Sequence, residues 1–210
     1  WLSSWWRVYG CDVSMWLLVA RIDDHIIGFA PFMIVRSSIG LKTLTFMGVS
    51  DLKPVHLDFV ILPEFHNEFL MNILCYLDNH KEKWDLLDLQ GLSEDSPSLR
   101  YLKNWFLTSN QSQYRIGNCE ACPCITLPQS FTEYIQSRSK NTRKNFHKRR
   151  AKLIQNFPDM ELGYIDTLDG WEMAYHELVR LHQARWENRG YAGSFAGDKF
   201  AKFMTVYLPR

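Results

Sequence analysis

The first 48 residues read as three strands joined by two short turns, and this limits the fold more than any other stretch. Trp16 to Ile22 is apolar and β-rich. Asp23, Asp24 and His25 form a turn. Ile26 to Val35 makes a second strand, and Leu41 to Met47 a third that ends at Gly48. Short strands at regular spacing, with turn residues between them, predict an antiparallel meander. Helix signals then alternate with strand signals. Pro63 opens a helix to about Asn79, with apolar residues at Phe65, Phe69, Ile73, Leu74 and Leu77. Trp84 to Leu89 reads as a strand. Asp95, Ser96 and Pro97 start a helix carrying Leu99, Leu102, Trp105 and Phe106, with Pro placed just inside it. Tyr114 to Leu127 reads as strand again. Residues 1–127 are thus expected to form a complete mixed α/β unit.

Pro128 is the expected boundary. Ser130 followed by Glu133 is a capping-box pattern, and the stretch after it is helix-rich. Breaks are expected near Ser137 to Asn141 and at Phe157-Pro158, and a short strand over Met160 to Ile165. A long helix from Leu168 to Arg189 ends at Gly190, a residue suited to a left-handed cap. Another begins at Phe195 and runs to Tyr207. With 210 residues, 46% of them hydrophobic, the chain has material for a sizeable core. No apolar run approaches the ~20 residues that span a bilayer, and the start lacks the basic-then-apolar pattern of a signal peptide. The first residue is Trp and the last two are Pro209 and Arg210, just past a helix pattern, so both ends read as trimmed.

The five cysteines are Cys11, Cys75, Cys119, Cys122 and Cys124. An odd count without an export signal points to a reducing, cytoplasmic setting. Cys119, Cys122 and Cys124 contain a CxxC, but a zinc site needs a second ligand pair and the sequence offers none. They read instead as small apolar residues entering a strand, and no metal is expected.

Charge is unevenly spread. Residues 138–152 hold Arg138, Lys140, Arg143, Lys144, Lys148, Arg149, Arg150 and Lys152 and no acidic residue. The rest of the chain keeps 16 of the 24 basic residues against 23 acidic ones, a net of −7. A basic segment on an acidic body points to a local anionic partner rather than a general nucleic-acid coat.

Two constellations carry candidate chemistry. On a helix from about Asn141 to Phe157, Phe146, Leu153, Ile154 and Phe157 form one stripe. Arg143 and Arg150 fall inside it and Arg149 at its edge, with Lys144, Lys148 and Lys152 opposite. Arginine within an apolar stripe either meets an anion such as carboxylate or phosphate or lays its stem on the core with its head in water. The second is Leu181 to Gly190. The stripe Trp171, Ala174, Tyr175 and Leu178 continues as His182, Arg185, Trp186 and Arg189. Polar groups on a buried face need partners, so this end meets a pocket, a buried acid or a ligand. His182 is a candidate general base, its ordinary pKa being near working pH. The alternative is a structural network, with His182 bonded to backbone and an arginine paired with an Asp. No GxSxG, GxxxxGK[ST], HExxH or GxGxxG occurs, and no two glycines lie two apart.

Several segments together resemble the cellulose-biosynthesis (CelD/BcsL-type) acetyltransferase family of the GNAT superfamily, related to peptidoglycan aminoacyltransferases. They are WLSSWW (1–6), IGFAPF (27–32), LKTLTFMG (41–48), WDLLDL (84–89), EDSP (94–97), CPCITLP (122–128), SKNTRKN (139–145) and LHQARW (181–186). The resemblance implies a tandem GNAT-like acyl-CoA N-acyltransferase fold of mixed α/β class. Residues 1–127 would be the first half and 128–210 the start of a second, incomplete catalytic half that lacks the strands and loop holding the cofactor. It implies acetyl-CoA or another acyl-CoA as co-substrate and a small-molecule or saccharide acceptor, in polysaccharide or envelope biosynthesis. The acceptor amine or hydroxyl would attack the thioester directly, with Gly190 to Gly193 as a flexible segment beside it. Arg143, Arg149, Arg150, Arg185, Trp186 and Arg189 are the candidate substrate- or acyl-CoA-binding residues. Two other readings stand beside this one. In the first, 138–152 is a module for an anionic partner such as nucleic acid, against which the near-neutral net charge of +1 argues. In the second, the chain is an inactive scaffold half of a larger assembly.

Overall fold

The computed structural model describes residues 1–49, 54–108, 114–117, 121–165 and 167–207. Cys119, Pro209 and Arg210 lie outside these described residues. The chain forms two compact units. One joins residues 1–114 to 168–210, and the other is 115–167. This division differs from halves at 1–127 and 128–210, because the segment from Leu168 onward makes its contacts with the N-terminal unit.

The meander is present in the first unit. Strands β1 (Ser14–Ile22), β2 (His25–Arg36) and β3 (Lys42–Phe46) pair antiparallel in that order. The β1–β2 turn is two residues long, with Ile22 opposite His25. Asp23 takes φ of +51°, which short polar side chains tolerate. Two further strands add to the sheet. Strand β4 (Val60–Ile61) pairs with the start of β2, and β5 (Leu86–Asp88) runs parallel to β3. A parallel neighbour requires a crossover. Helix α2 (His66–Asp78) lies within the segment that supplies it. Gly28 sits where β4 and α2 both approach β2. A Cβ there would lie 2.9 Å from both the Phe69 ring and the Val60 carbonyl oxygen.

Alternation along the strands divides two cores. Ala30 and Phe32 of β2, with Leu44 and Phe46 of β3, face Phe69, Leu70, Ile73, Leu74 and Leu77 of α2 and Leu102 of α3 (Pro97–Thr108). Phe32, Phe46, Phe59 and Phe69 meet edge-on or stacked, with centroids 5.1–6.2 Å apart. Met33 and Met47 point the other way. They meet Trp5 and Val8 of α1 (Leu2–Tyr9) and Phe203 from near the other end of the chain. Helices therefore cover both faces of a mixed sheet. Ser96 caps α3 as expected, its Oγ accepting from the Ser98 and Leu99 N–H groups. That Oγ also donates to Asp58 Oδ2 at 2.6 Å. Helix α1 was not foreseen, since its apolar residues read only as a non-signal start.

The second unit is two helices. The cap expected at Ser130 is present, and Ser139 supplies a second one that the sequence reading did not include. Ser130 Oγ accepts from Glu133 N–H at the start of α4 (Phe131–Gln136), and Ser139 Oγ from Thr142 N–H at the start of α5 (Lys140–Asn156). Phe131 meets Phe146 edge-on at 5.6 Å. No described residue of 115–167 is buried.

Two expected strands are absent among the described residues. Residues 114–117, 121–127 and 160–165 are irregular. A strand needs a ladder partner for its backbone groups, and none pairs with them. Cys122 and Cys124 accordingly lie exposed instead of entering a strand.

Helix α6 (Leu168–Glu187) and helix α7 (Asp198–Tyr207) complete the first unit, with a tight 3-10 turn at Ser194–Ala196 between them. Tyr175 of α6 donates its hydroxyl to the Ala201 carbonyl of α7 at 3.2 Å. Trp1, just before α1, and Tyr9 of α1 meet Phe203 of α7 at 5.9 and 6.1 Å. No described helix is long and apolar enough to cross a membrane.

Candidate active site

The end of α6 is built by its cap. Gly190 takes φ of +77°, and two bonds close the turn: Gly190 N–H to Glu187 C=O at 2.9 Å and Tyr191 N–H to Trp186 C=O at 3.0 Å. This is the paired arrangement of a Schellman motif, and its usual apolar contact is present as Trp186 against Tyr191, 5.8 Å between ring centroids. Gln183 reaches past the cap and donates Nε2–H to the Ala192 carbonyl at 2.7 Å. A Cβ on Gly193 would strike the Gln183 amide oxygen. Gly190 to Gly193 is therefore a fastened turn, not the flexible segment expected.

The half-buried face of α6 runs through Trp171, Ala174, Tyr175, Val179, His182, Gln183 and Trp186. It is rotated slightly from the expected stripe, which used Leu178. The expected Arg185 falls off it and is exposed, as is Arg189. His182 packs edge-on against Phe195, 5.0 Å between ring centroids, and lies 6.0 Å from Trp186. Its Nδ1 sits 3.2 Å from Gln183 Oε1. Donation by Nδ1 to that oxygen leaves Nε2 as the basic nitrogen. The expected backbone or Asp partners are not what holds this end. Among the described residues neither Arg185 nor Arg189 has a carboxylate within ion-pair distance. The Arg189 guanidinium lies over Trp186 at 6.0 Å. The α6 arginine that does pair is Arg180, whose Nε meets Glu177 Oε2 at 2.8 Å. That hydrogen bond holds the Glu177 carboxyl below its ordinary range. Burial pushes the Tyr175 hydroxyl above the ordinary 10.0.

The arginines of the 141–157 constellation lie on α5, in the other unit. Arg143 is half-buried and already engaged, donating Nη1–H to the Gln136 carbonyl at 2.9 Å. It closes the C-terminal end of α4, a structural role. Arg149 and Arg150 are exposed and line a shallow concavity with Thr142, Asn145, Phe146 and Leu153. Gln183, Tyr191 and Phe195 were not singled out from sequence. Gln183 lies one position off the periodic stripe, and Phe195 reads only as a helix start.

An acyl-CoA carries a diphosphate, so its fit is set by the available donors. The entry to α2 offers Pro63 and Glu64, a missing N–H and a like charge. At the α3 entry the Ser98 and Leu99 N–H groups are taken by Ser96, with Asp58 beside it. The α7 entry begins with Asp198. Side-chain donors that suit phosphate are Arg185 and Arg189 at the end of α6, and Arg149 and Arg150 on α5. At α6 they act alone, because a helix C-terminus presents carbonyls. Among the described residues no three His, Cys, Asp or Glu gather as a metal site.

Comparison with protein-family models, with curated proteins and with solved structures finds no match.

Proposed function

We propose that the chain is an acyl-CoA-dependent N-acyltransferase of GNAT-like fold, moving an acyl group to an amine or hydroxyl acceptor in polysaccharide or envelope biosynthesis. The observation that carries this reading is the convergence at the end of α6. Within two helical turns it sets a half-buried imidazole, an aromatic face and two cations free of carboxylates among the described residues. The family-like segments, LHQARW among them, add to it, as does the antiparallel meander followed by a helix and a parallel strand.

In this reading the acyl-CoA is a co-substrate. Arg185 and Arg189 hold its phosphates, and Trp186 with Tyr191 offers a flat apolar surface. The acceptor lone pair bonds to the thioester carbon and the carbon–sulfur bond breaks. The proton lost by the acceptor passes to His182 Nε2, and the sulfur leaves as thiolate to take a proton in turn. The Phe195 ring packs edge-on against the His182 imidazole.

Calorimetric titration of the intact protein with acetyl-CoA is the direct test. Binding is expected, weakened by Arg185→Gln/Arg189→Gln and left unchanged by His182→Ala, which instead lowers turnover ~100-fold or more. No heat at millimolar acetyl-CoA, with the protein shown folded, would overturn the reading.

A further inference from the structure

Helix α5 is left over by the site on α6, and three of its properties belong together. First, the segment 138–152 carries eight cations and no anion, the nearest acidic residues being Glu133 and Asp159. Among the described residues none of those eight lies within ion-pair distance of a carboxylate. Second, no residue of α5 is buried, and beyond Phe146, which packs on Phe131, its apolar row faces solvent: Leu153 is 42% exposed, Ile154 52% and the capping Phe157 59%. In the irregular chain beyond it Leu162 is 97% exposed. Third, the cations are sorted by chemistry. At 100° per residue Arg150 falls within the apolar row and Arg149 on its edge, while Lys144, Lys148 and Lys152 occupy the opposite side.

We propose that α5 docks the protein onto an anionic phospholipid surface, lying in the headgroup layer with its apolar row inward. Arg149 and Arg150 then reach phosphates at the level of the row, as guanidinium favours. The lysines on the far side add attraction at a distance, within a Debye length. Charge complementarity fixes the sign of the partner, and the exposed apolar side chains of the row favour a surface with an apolar layer beneath its charge. A nucleic acid engages basic segments through flat rings that stack on bases. In this row Phe146 is taken up by the Phe131 ring, which leaves Phe157 beside the aliphatic Leu153 and Ile154, and a bilayer accepts all three at its acyl boundary. The remaining charge of −7 confines the attraction to this segment. No spanning helix is involved, and docking does not depend on whether the chain transfers acyl groups.

Co-sedimentation of the intact protein with vesicles tests this. Binding is expected to phosphatidylcholine vesicles containing phosphatidylglycerol, to fall steeply with added salt, and to be absent on phosphatidylcholine alone. At about 1 kcal/mol for each near-surface cation, Arg149→Gln/Arg150→Gln lowers partitioning roughly 30-fold. Lys144→Gln/Lys148→Gln, the same change in charge on the far side, lowers it by clearly less. Leu153→Ser/Phe157→Ser weakens binding without altering net charge, and circular dichroism confirms that each exposed-face variant keeps its helices. Three results would each overturn the proposal: equal partitioning onto neutral and anionic vesicles, no partitioning onto either, or tighter binding of a single-stranded oligonucleotide than of the anionic vesicles at the same salt.

Discussion

The two units of this chain are held by different physics. In residues 1–114 with 168–210, Phe32, Leu44, Phe46 and Leu70 are fully buried, and helices close both sides of the sheet. Residues 115–167 bury none of their described side chains. That unit rests on capped helix starts and on the edge-on contact of Phe131 with Phe146. The first unit therefore owes its stability to apolar burial, the second to local backbone and side-chain bonds. The contrast extends to charge. The cored unit binds Arg180 to Glu177 and Lys81 to Asp78. Among the described residues the open unit gives none of its cations a carboxylate, although Arg143 bonds the Gln136 carbonyl. A region without a core is cheap to deform and easy to cover, which is where docking surfaces are drawn from.

The largest expected effect breaks the contrast if it fails. Phe32→Ala removes a fully buried ring from a cluster of four aromatics and is expected to cost about 3–5 kcal/mol in urea unfolding of the first unit. Ile154→Ala, on the exposed row of α5, is expected to stay within about 0.5 kcal/mol. Comparable losses would mean that α5 is covered in solution.

The caps sharpen the same comparison. Ser139→Ala removes an exposed N-cap of α5 and is expected to cost about 1 kcal/mol, read as faster amide exchange in the first turn of that helix. Ser96→Ala removes a buried one that also holds Asp58, and it is expected to cost more, about 2 kcal/mol, because the carboxylate loses its donor as well. An equal cost at both sites would show that burial around Ser96 adds nothing.

The smallest effect is in alkali. Burial raises the Tyr175 hydroxyl, and burial followed by the nearby Cys75 raises that of Tyr101, above the ordinary 10.0. A group raised on folding contributes stability that is whole below its unfolded value and lost as pH rises through its folded one. The first unit is thus expected to weaken only above about pH 10. Tyr175→Phe should remove part of that slope while also losing the bond to Ala201.

What was legible in the sequence was whatever is written locally. The meander, helices α2, α3, α5 and α6, and the caps at Ser96, Ser130 and Gly190 follow from periodicity and from residues that satisfy orphan backbone groups. The clearest of these is Gly190, where a left-handed φ admits glycine most readily. The misses are features that need a distant partner. Tyr114 to Leu127 and Met160 to Ile165 have strand-like side chains, yet a strand exists only where another supplies the ladder. Arg143 read as a ligand residue, and only the fold set its guanidinium against the Gln136 carbonyl. Gln183, invisible as one polar residue among many, fastens the turn through Ala192.

The sequence by itself determined the class of fold, the helix ends and the concentration of cations on one helix, because these depend on neighbours within a few residues. Only the tertiary structure decided that Phe203 completes the core under α1, that α5 is left uncovered, and that His182 faces Phe195 and Gln183 rather than an acid. Each of those joins residues far apart in the chain, or turns a side chain by a fraction of a helical turn, and neither is encoded in local spacing.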